Sequence, residues 1–185
     1  MLVLASASPR RRELLRNAHI PFEVEPADIN EAPLPNEPAK AYAERLARDK
    51  AQAIARKHPN NPVLGADTVV VVDNQILGKP ADPADAARML HLLSGRTHQV
   101  ITGVCVVINR HQSVASETTS VTMSEISEDE IIAYISTGEP MDKAGAYAIQ
   151  GIASRWIPRV EGDYSNVVGL PVALVYRMLQ QAGVI

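Results

Sequence analysis

The stretch Val63-Leu64-Gly65-Ala66-Asp67-Thr68-Val69-Val70-Val71-Val72 decides the fold. It is β-branched over most of its length and apolar at both odd and even positions, so it reads as a strand covered on both faces, one that needs a layer on either side. Asp73-Asn74-Gln75 then turns the chain back into Ile76-Leu77, a hairpin. Upstream, residues 38–57 are rich in Ala, Glu, Arg, Lys and Gln and set Ala39, Ala43, Leu46, Ala47 and Ile54 roughly on one face. That spacing predicts a long amphipathic helix with Lys50 on or near it. At the start, residues 2–5 read as a buried strand, and Ser8-Pro9 supplies a capping hydroxyl and a first-turn proline for a helix to about residue 18. Downstream, Asp82-Pro83-Ala84-Asp85 opens a helix that Ser94-Gly95 closes, and β-rich runs at 98–108 and 113–123 flank a polar turn at 109–112. Ser127-Glu128-Asp129-Glu130 is a capping box, Thr137-Gly138-Glu139-Pro140 ends the helix it starts, and 171–182 is helical. Helices alternate with strands and hairpins, so the class is α/β around a mixed sheet.

A chain of 185 residues with no repeat, and with one short proline-dense loop at 33–38, reads as a single domain over 1–185. Its 46% apolar and 21% charged residues exclude disorder as the main state. A net charge of -3 argues against a nucleic-acid polymer as partner. Cys105 alone can form neither an internal disulfide nor a cysteine cluster for zinc, and inside an apolar β run it reads as a small hydrophobe; the cytoplasm is the expected compartment. The first residues lack a basic n-region and a long apolar stretch, so no signal peptide is expected, and Asp67 and Asp73 break the longest apolar run, so no membrane span is expected.

Six places can carry chemistry. Ser6-Ala7-Ser8-Pro9-Arg10-Arg11-Arg12 sets a strand-to-helix turn with free amides beside three arginines that oppose the helix dipole, a natural phosphate site. The bland alternative is that these arginines are solvated and pair with Glu13. Asp67 heads an apolar strand, where a carboxylate is costly unless paired or metal-bound, or else hydrogen-bonds a turn. Glu31 and Lys79 lie in irregular segments of the kind that carry sites. Glu139-Pro140-Met141-Asp142-Lys143-Ala144-Gly145 through Gln150-Gly151, where a charged pair leads into small residues, and Ser165-Asn166 through Gly169-Leu170-Pro171 are glycine-containing loops where a ligand could approach closely, or simply turns. No phosphate-loop, dinucleotide, zinc-protease or nucleophile-elbow pattern is present, and the five histidines have no ligand spacing.

Ser6-Ala7-Ser8-Pro9-Arg10-Arg11, Gly65-Ala66-Asp67-Thr68, Gly78-Lys79-Pro80, Ser94-Gly95, Asp142-Lys143-Ala144-Gly145 and Asn166-Val167-Val168-Gly169-Leu170-Pro171 together resemble the Maf-like nucleoside triphosphate pyrophosphatases across nearly the whole chain. The resemblance implies an elongated mixed β-sheet flanked by helices, in two lobes around a nucleotide cleft, similar to inosine triphosphate pyrophosphatases. It implies hydrolysis of a nucleoside triphosphate to monophosphate and pyrophosphate with a divalent cation, Mg²⁺ or Mn²⁺. Asp67 maps onto the family's proton acceptor, and Arg11, Thr68 and Gln150 match the subgroup that hydrolyses dTTP and UTP. Asn30-Glu31 departs from relatives that often carry two adjacent acids there.

On this basis Ser8, Arg10, Arg11, Lys50, Lys79 and Lys143 are expected to bind phosphates, Glu31 and Asp67 to hold the metal, and Thr68 and Gln150 to read the pyrimidine. The rival expectation is a nucleotide-binding regulator of septum formation that needs no catalysis. A purine house-cleaning enzyme ranks third, and a homodimer stays open.

Overall fold

The computed structural model describes residues 1–109 and 111–185. Strand β1 (Leu2–Leu4) lies parallel to β2 (Phe22–Val24) on one side and to β3 (Val63–Val72) on the other, and β3 returns antiparallel into β4 (Gln75–Leu77). With β5 (Thr97–Ile108), β6 (His111–Thr122) and β7 (Arg159–Glu161) they form a mixed seven-stranded sheet in the order β2-β1-β3-β5-β6-β7, with β4 on β3. The helices are α1 (Pro9–Asn17), α2 (Ala39–Ala55), α3 (Pro83–Leu93), α4 (Glu128–Ser136), α5 (Tyr164–Val168) and α6 (Val172–Gln181).

Local chemistry accounts for most of these boundaries. Ser8, Asp82 and Ser127 each cap a helix with the side-chain oxygen, and Ser127 and Glu130 complete a reciprocal box. Asp73 and Asn74 take φ of 49° and 61°, the left-handed pair a tight hairpin requires. The turn expected over 109–112 includes position 110, outside the described residues. Strands β2 and β7 carry no sequence signal: Phe22-Glu23-Val24 and Arg159-Val160-Glu161 lack the continuous apolar run of β1 and the turn that leads into β4, and only pairing with β1 and β6 makes them strands. Among the described residues no helix is long and apolar enough to cross a membrane.

The chain gathers into two compact units. The first comprises Met1–Thr68, Thr102–Glu117 and Gly169–Ile185, and the second Val69–Ile101 and Thr118–Val168, so β3, β5 and β6 contribute residues to both. In the first unit strand parity sorts the core. Leu2, Leu4, Leu64, Ala66, Val104 and Val106 pack with Leu15 of α1 and with Val175, Met178 and Leu179 of α6. The alternate residues Val3, Ala5, Val63, Cys105 and Val107 pack with Ala47, Ala51 and Ile54 of α2. Burial pushes the Cys105 thiol up to about 11, so it is the inert hydrophobe expected.

In the second unit Met89, Leu90, Leu93, Ile131, Tyr134 and Trp156 are buried. Among the described residues His98 is the one buried histidine, its Nε2 2.7 Å from the Tyr147 hydroxyl, and burial lowers its pKa to about 4.

Candidate active site

Parity on β3 places the candidate acid. Gly65 lies on the α2 face, where a Cβ would come within 2.2 Å of the Ala47 carbonyl and 2.8 Å of the Ala51 amide. Gly103 of β5 makes the same allowance for the Ala43 carbonyl at 2.3 Å. Two glycines therefore let the α2 backbone lie directly on the sheet. Asp67 shares the face of Gly65, two residues on, and Lys50 reaches it: Nζ stands 2.7 Å from Asp67 Oδ1.

Lys50 Nζ also stands 2.8 Å from Glu31 Oε1, so one ammonium joins two carboxylates. The Asp67 side chain is 12% exposed and that of Glu31 55%, which makes Asp67 the sheltered member. Glu31 is brought there by α2 itself. The Tyr42 hydroxyl donates to the Glu31 carbonyl at 2.7 Å, and Arg45 donates to the Ala32 carbonyl and in a fork to Glu37 at 2.6 and 2.8 Å. That guanidinium drops the Glu37 carboxyl to about 2.

Thr68 follows Asp67 and so faces the opposite side, with α1 and α6. Arg11 of α1 is buried there. Its Nε donates to the Gly169 carbonyl at 2.8 Å, Nη1 to Ser6 Oγ at 3.0 Å and Nη2 to Thr68 Oγ1 at 3.0 Å. Thr68 Oγ1 lies 2.9 Å from Thr102 Oγ1 and donates to the Gly169 carbonyl at 3.2 Å. Burial lowers the Arg11 pKa, while the charge of Asp67 acts to raise it. Arg11 is thus neither solvated nor paired with Glu13: each of its nitrogens already donates within the protein, two N–H groups remaining. Ser8 Oγ accepts the Arg11 amide as helix cap, and Arg10 is half-buried in the first turn of α1.

In the second unit Lys79 is exposed, and the Gly145 amide donates to the Gly78 carbonyl at 3.0 Å, tying the two lysine-bearing loops together. Lys143 pairs with Asp142 and donates to the Glu139 carbonyl at 3.4 Å. Gln150 is exposed. Gly145 and Gly151 approach protein, not an open face: a Cβ on Gly145, whose φ is 70°, would meet Val70 at 2.9 Å, and one on Gly151 would meet the Glu139 carboxylate at 2.1 Å.

Glu31, Lys50 and Asp67 form one cluster and Arg11 and Thr68 another. Sequence reasoning missed Ser6, Tyr42, Arg45 and Thr102 as their supports. Tyr42 and Arg45 are three apart on α2, the one spacing that could have marked them. Among the described residues no group of three or more His, Cys, Asp and Glu side chains could cage a metal. Two hard carboxylates converging on one cationic group do fit magnesium, which is commonly held by one or two carboxylates with substrate phosphates and waters completing its shell.

A family model described as Maf-like protein matches residues 1–182. The chain is 61% identical to the dTTP/UTP pyrophosphatase of Koribacter versatilis over 184 residues, covering 100% of this chain and 95% of that protein. It is 51% identical to the dTTP/UTP pyrophosphatase of Symbiobacterium thermophilum, covering 98% and 94%. Among solved structures, that of the Staphylococcus aureus Ham1 protein aligns with a TM-score of 0.55 over 98% of each chain at 16% identity, a likeness of fold.

Proposed function

We propose that this chain, which belongs to the Maf-like protein family, is a nucleoside triphosphate pyrophosphatase that hydrolyses dTTP and UTP to the monophosphate and pyrophosphate. The observation that carries the reading is the sheltered Asp67 held by Lys50 beside Glu31.

Hydrolysis of a phosphoanhydride needs neutralised polyphosphate, a water in line and a group to take its proton. Asp67 takes the proton from the attacking water as the α–β anhydride breaks. Lys50 holds that carboxylate in one orientation through its 2.7 Å bond. Arg10, Lys79 and Lys143 bind the phosphates, with Ser8 at the helix start and the two remaining N–H groups of Arg11. Arg11 also orients Thr68, and Thr68 and Gln150 discriminate the base. Glu31 and Asp67 would hold a Mg²⁺ or Mn²⁺ ion, which when bound supplies charge neutralisation for the phosphates. The cytoplasm is the compartment this reaction suits.

The test is pyrophosphate release with Mg²⁺ from dTTP, UTP, CTP, ATP, GTP, ITP and 7-methyl-GTP, with Asp67→Asn beside the wild type. Selective dTTP and UTP cleavage is expected, falling about 10² to 10⁴-fold in the variant while nucleotide binding survives. Near-normal turnover by Asp67→Asn removes Asp67 as the base. Binding without cleavage by the wild type turns the reading to a nucleotide-binding regulator. A Mg²⁺ titration of Glu31→Gln that matches wild type takes Glu31 out of the metal shell.

A further inference from the structure

In the second unit, the segment that carries Gln150 is gripped from both sides by two side chains outside the proposed machinery. Glu139, first residue of the 3-10 turn Glu139–Asp142, turns its carboxylate back to accept the Ile152 amide, at 3.1 Å on Oε1 and 3.4 Å on Oε2. The same Oε1 accepts the Tyr134 hydroxyl at 2.9 Å, and that hydroxyl accepts the Ala148 amide at 3.3 Å. The chain is therefore held two residues before and two residues after Gln150, whose own side chain is exposed.

The grip is anchored. Tyr134 is buried in α4 and meets Trp156 edge-on, ring centroids 5.3 Å apart, and the Trp156 indole N–H donates to Glu130 Oε1 at 3.1 Å. Gly151 leaves the carboxylate its seat, since a Cβ there would stand 2.1 Å from Oε1 and 2.5 Å from Cδ. Its φ of -98° lies outside the left-handed region, so the glycine answers to the Glu139 side chain and not to the backbone. A short loop held by one carboxylate and one hydroxyl presents an exposed amide at low cost in conformational entropy, which is what discrimination between bases requires.

We propose that Glu139 is a positioning residue for Gln150: by holding the segment 148–152 it fixes the loop from which the Gln150 amide reads a pyrimidine base. This rests on the reading of Gln150 given above. Glu139→Ala removes the grip, Glu139→Gln keeps an acceptor for the Ile152 amide, and Gly151→Ala leaves Glu139 in place but evicts its carboxylate.

Steady-state pyrophosphate release from UTP and CTP separates kcat from KM for each variant, and amide hydrogen exchange follows residues 148–152. In Glu139→Ala and Gly151→Ala, KM for UTP rises about tenfold, the UTP over CTP preference shrinks by a similar factor, kcat falls far less, and Ile152 exchanges faster. Glu139→Gln restores most of the wild-type KM. Glu139→Ala combined with Gln150→Ala discriminates no worse than Gln150→Ala alone, because the two act as one unit.

Wild-type KM and preference in Glu139→Ala, an equal loss of kcat on both nucleotides at unchanged KM, or losses that multiply in the double variant each overturn the proposal. So does unchanged exchange at Ile152 in a variant of an active enzyme. A wild type that releases pyrophosphate from no nucleotide overturns the pyrophosphatase reading first and this one with it.

Discussion

Lys50→Met removes the charge shared by Asp67 and Glu31 and keeps most of the bulk of the stem that lies along α2 and β3. In the wild type Nζ is 2.7 Å from Asp67 Oδ1 and 2.8 Å from Glu31 Oε1. The two carboxylates lose unequally. Glu31 is more than half exposed and is hydrated again at once, so its share is at most about 1 kcal/mol. Asp67 is only 12% exposed, and stripping a buried carboxylate of its partner costs roughly 3 to 5 kcal/mol. A residual opening to water puts Asp67 at the lower end, about 3 kcal/mol. For a chain of this length each kcal/mol moves Tm by about 2–4 °C, so the expected fall is about 6–12 °C. Thermal melts of wild type, Lys50→Met, Asp67→Asn and the double variant at pH 7 measure it. The double variant should recover most of the loss, since an amide at position 67 needs no counter-ion. A Lys50→Met protein melting within about 2 °C of wild type, or a double variant melting at the sum of the two losses, refutes Lys50 as the compensating charge.

Two further outcomes follow from the packing. Gly65→Ala puts a Cβ 2.2 Å from a carbonyl oxygen and 2.8 Å from an amide nitrogen of α2, both backbone atoms, so the helix must shift. A loss of about 3 kcal/mol and a lower urea midpoint are expected, and an unchanged midpoint contradicts the close seating of α2. His98 stays neutral in the folded chain down to about pH 4, while the unfolded chain takes up its proton near 6.5. Between those values the unfolded state binds more protons, so this contribution is complete above pH 6.5 and is lost as pH falls towards 4. It amounts to about 1.4 kcal/mol per pH unit and about 3 in all. Urea midpoints at pH 7, 6 and 5 should show that slope in wild type and a shallower one in His98→Gln; parallel curves would refute it.

The elements legible in the chain are those whose cause is local. The run Val63–Val72, the caps at Ser8, Asp82 and Ser127 and the turn at Asp73-Asn74 act over a few residues and were all readable. The α/β class followed from their order, and the family resemblance from short motifs such as Gly65-Ala66-Asp67-Thr68 and Asp142-Lys143-Ala144-Gly145. Strands β2 and β7 were not readable, because three residues of mixed polarity, with no apolar run and no hairpin turn beside them, become a strand only when a neighbour pairs with them. Of the arginine run, Arg11 departs from the solvated alternative: it is buried and donates to the Gly169 carbonyl, 158 residues away, which no local pattern announces.

Sequence alone determined which residue types were available for phosphate chemistry, because acids in apolar strands and basic runs at helix starts are conspicuous by their cost. Tertiary structure decided which of them meet. Lys50 finds Asp67 across 17 residues only because Gly65 and Gly103 bring α2 onto the sheet in one register. Asp67 and Thr68, adjacent in the chain, serve opposite faces because successive strand side chains alternate. Glu139 reaches Ile152 only because a tight turn folds the chain back through the room that a glycine leaves. Distances between side chains far apart in sequence are properties of packing, and packing is a property of the whole chain.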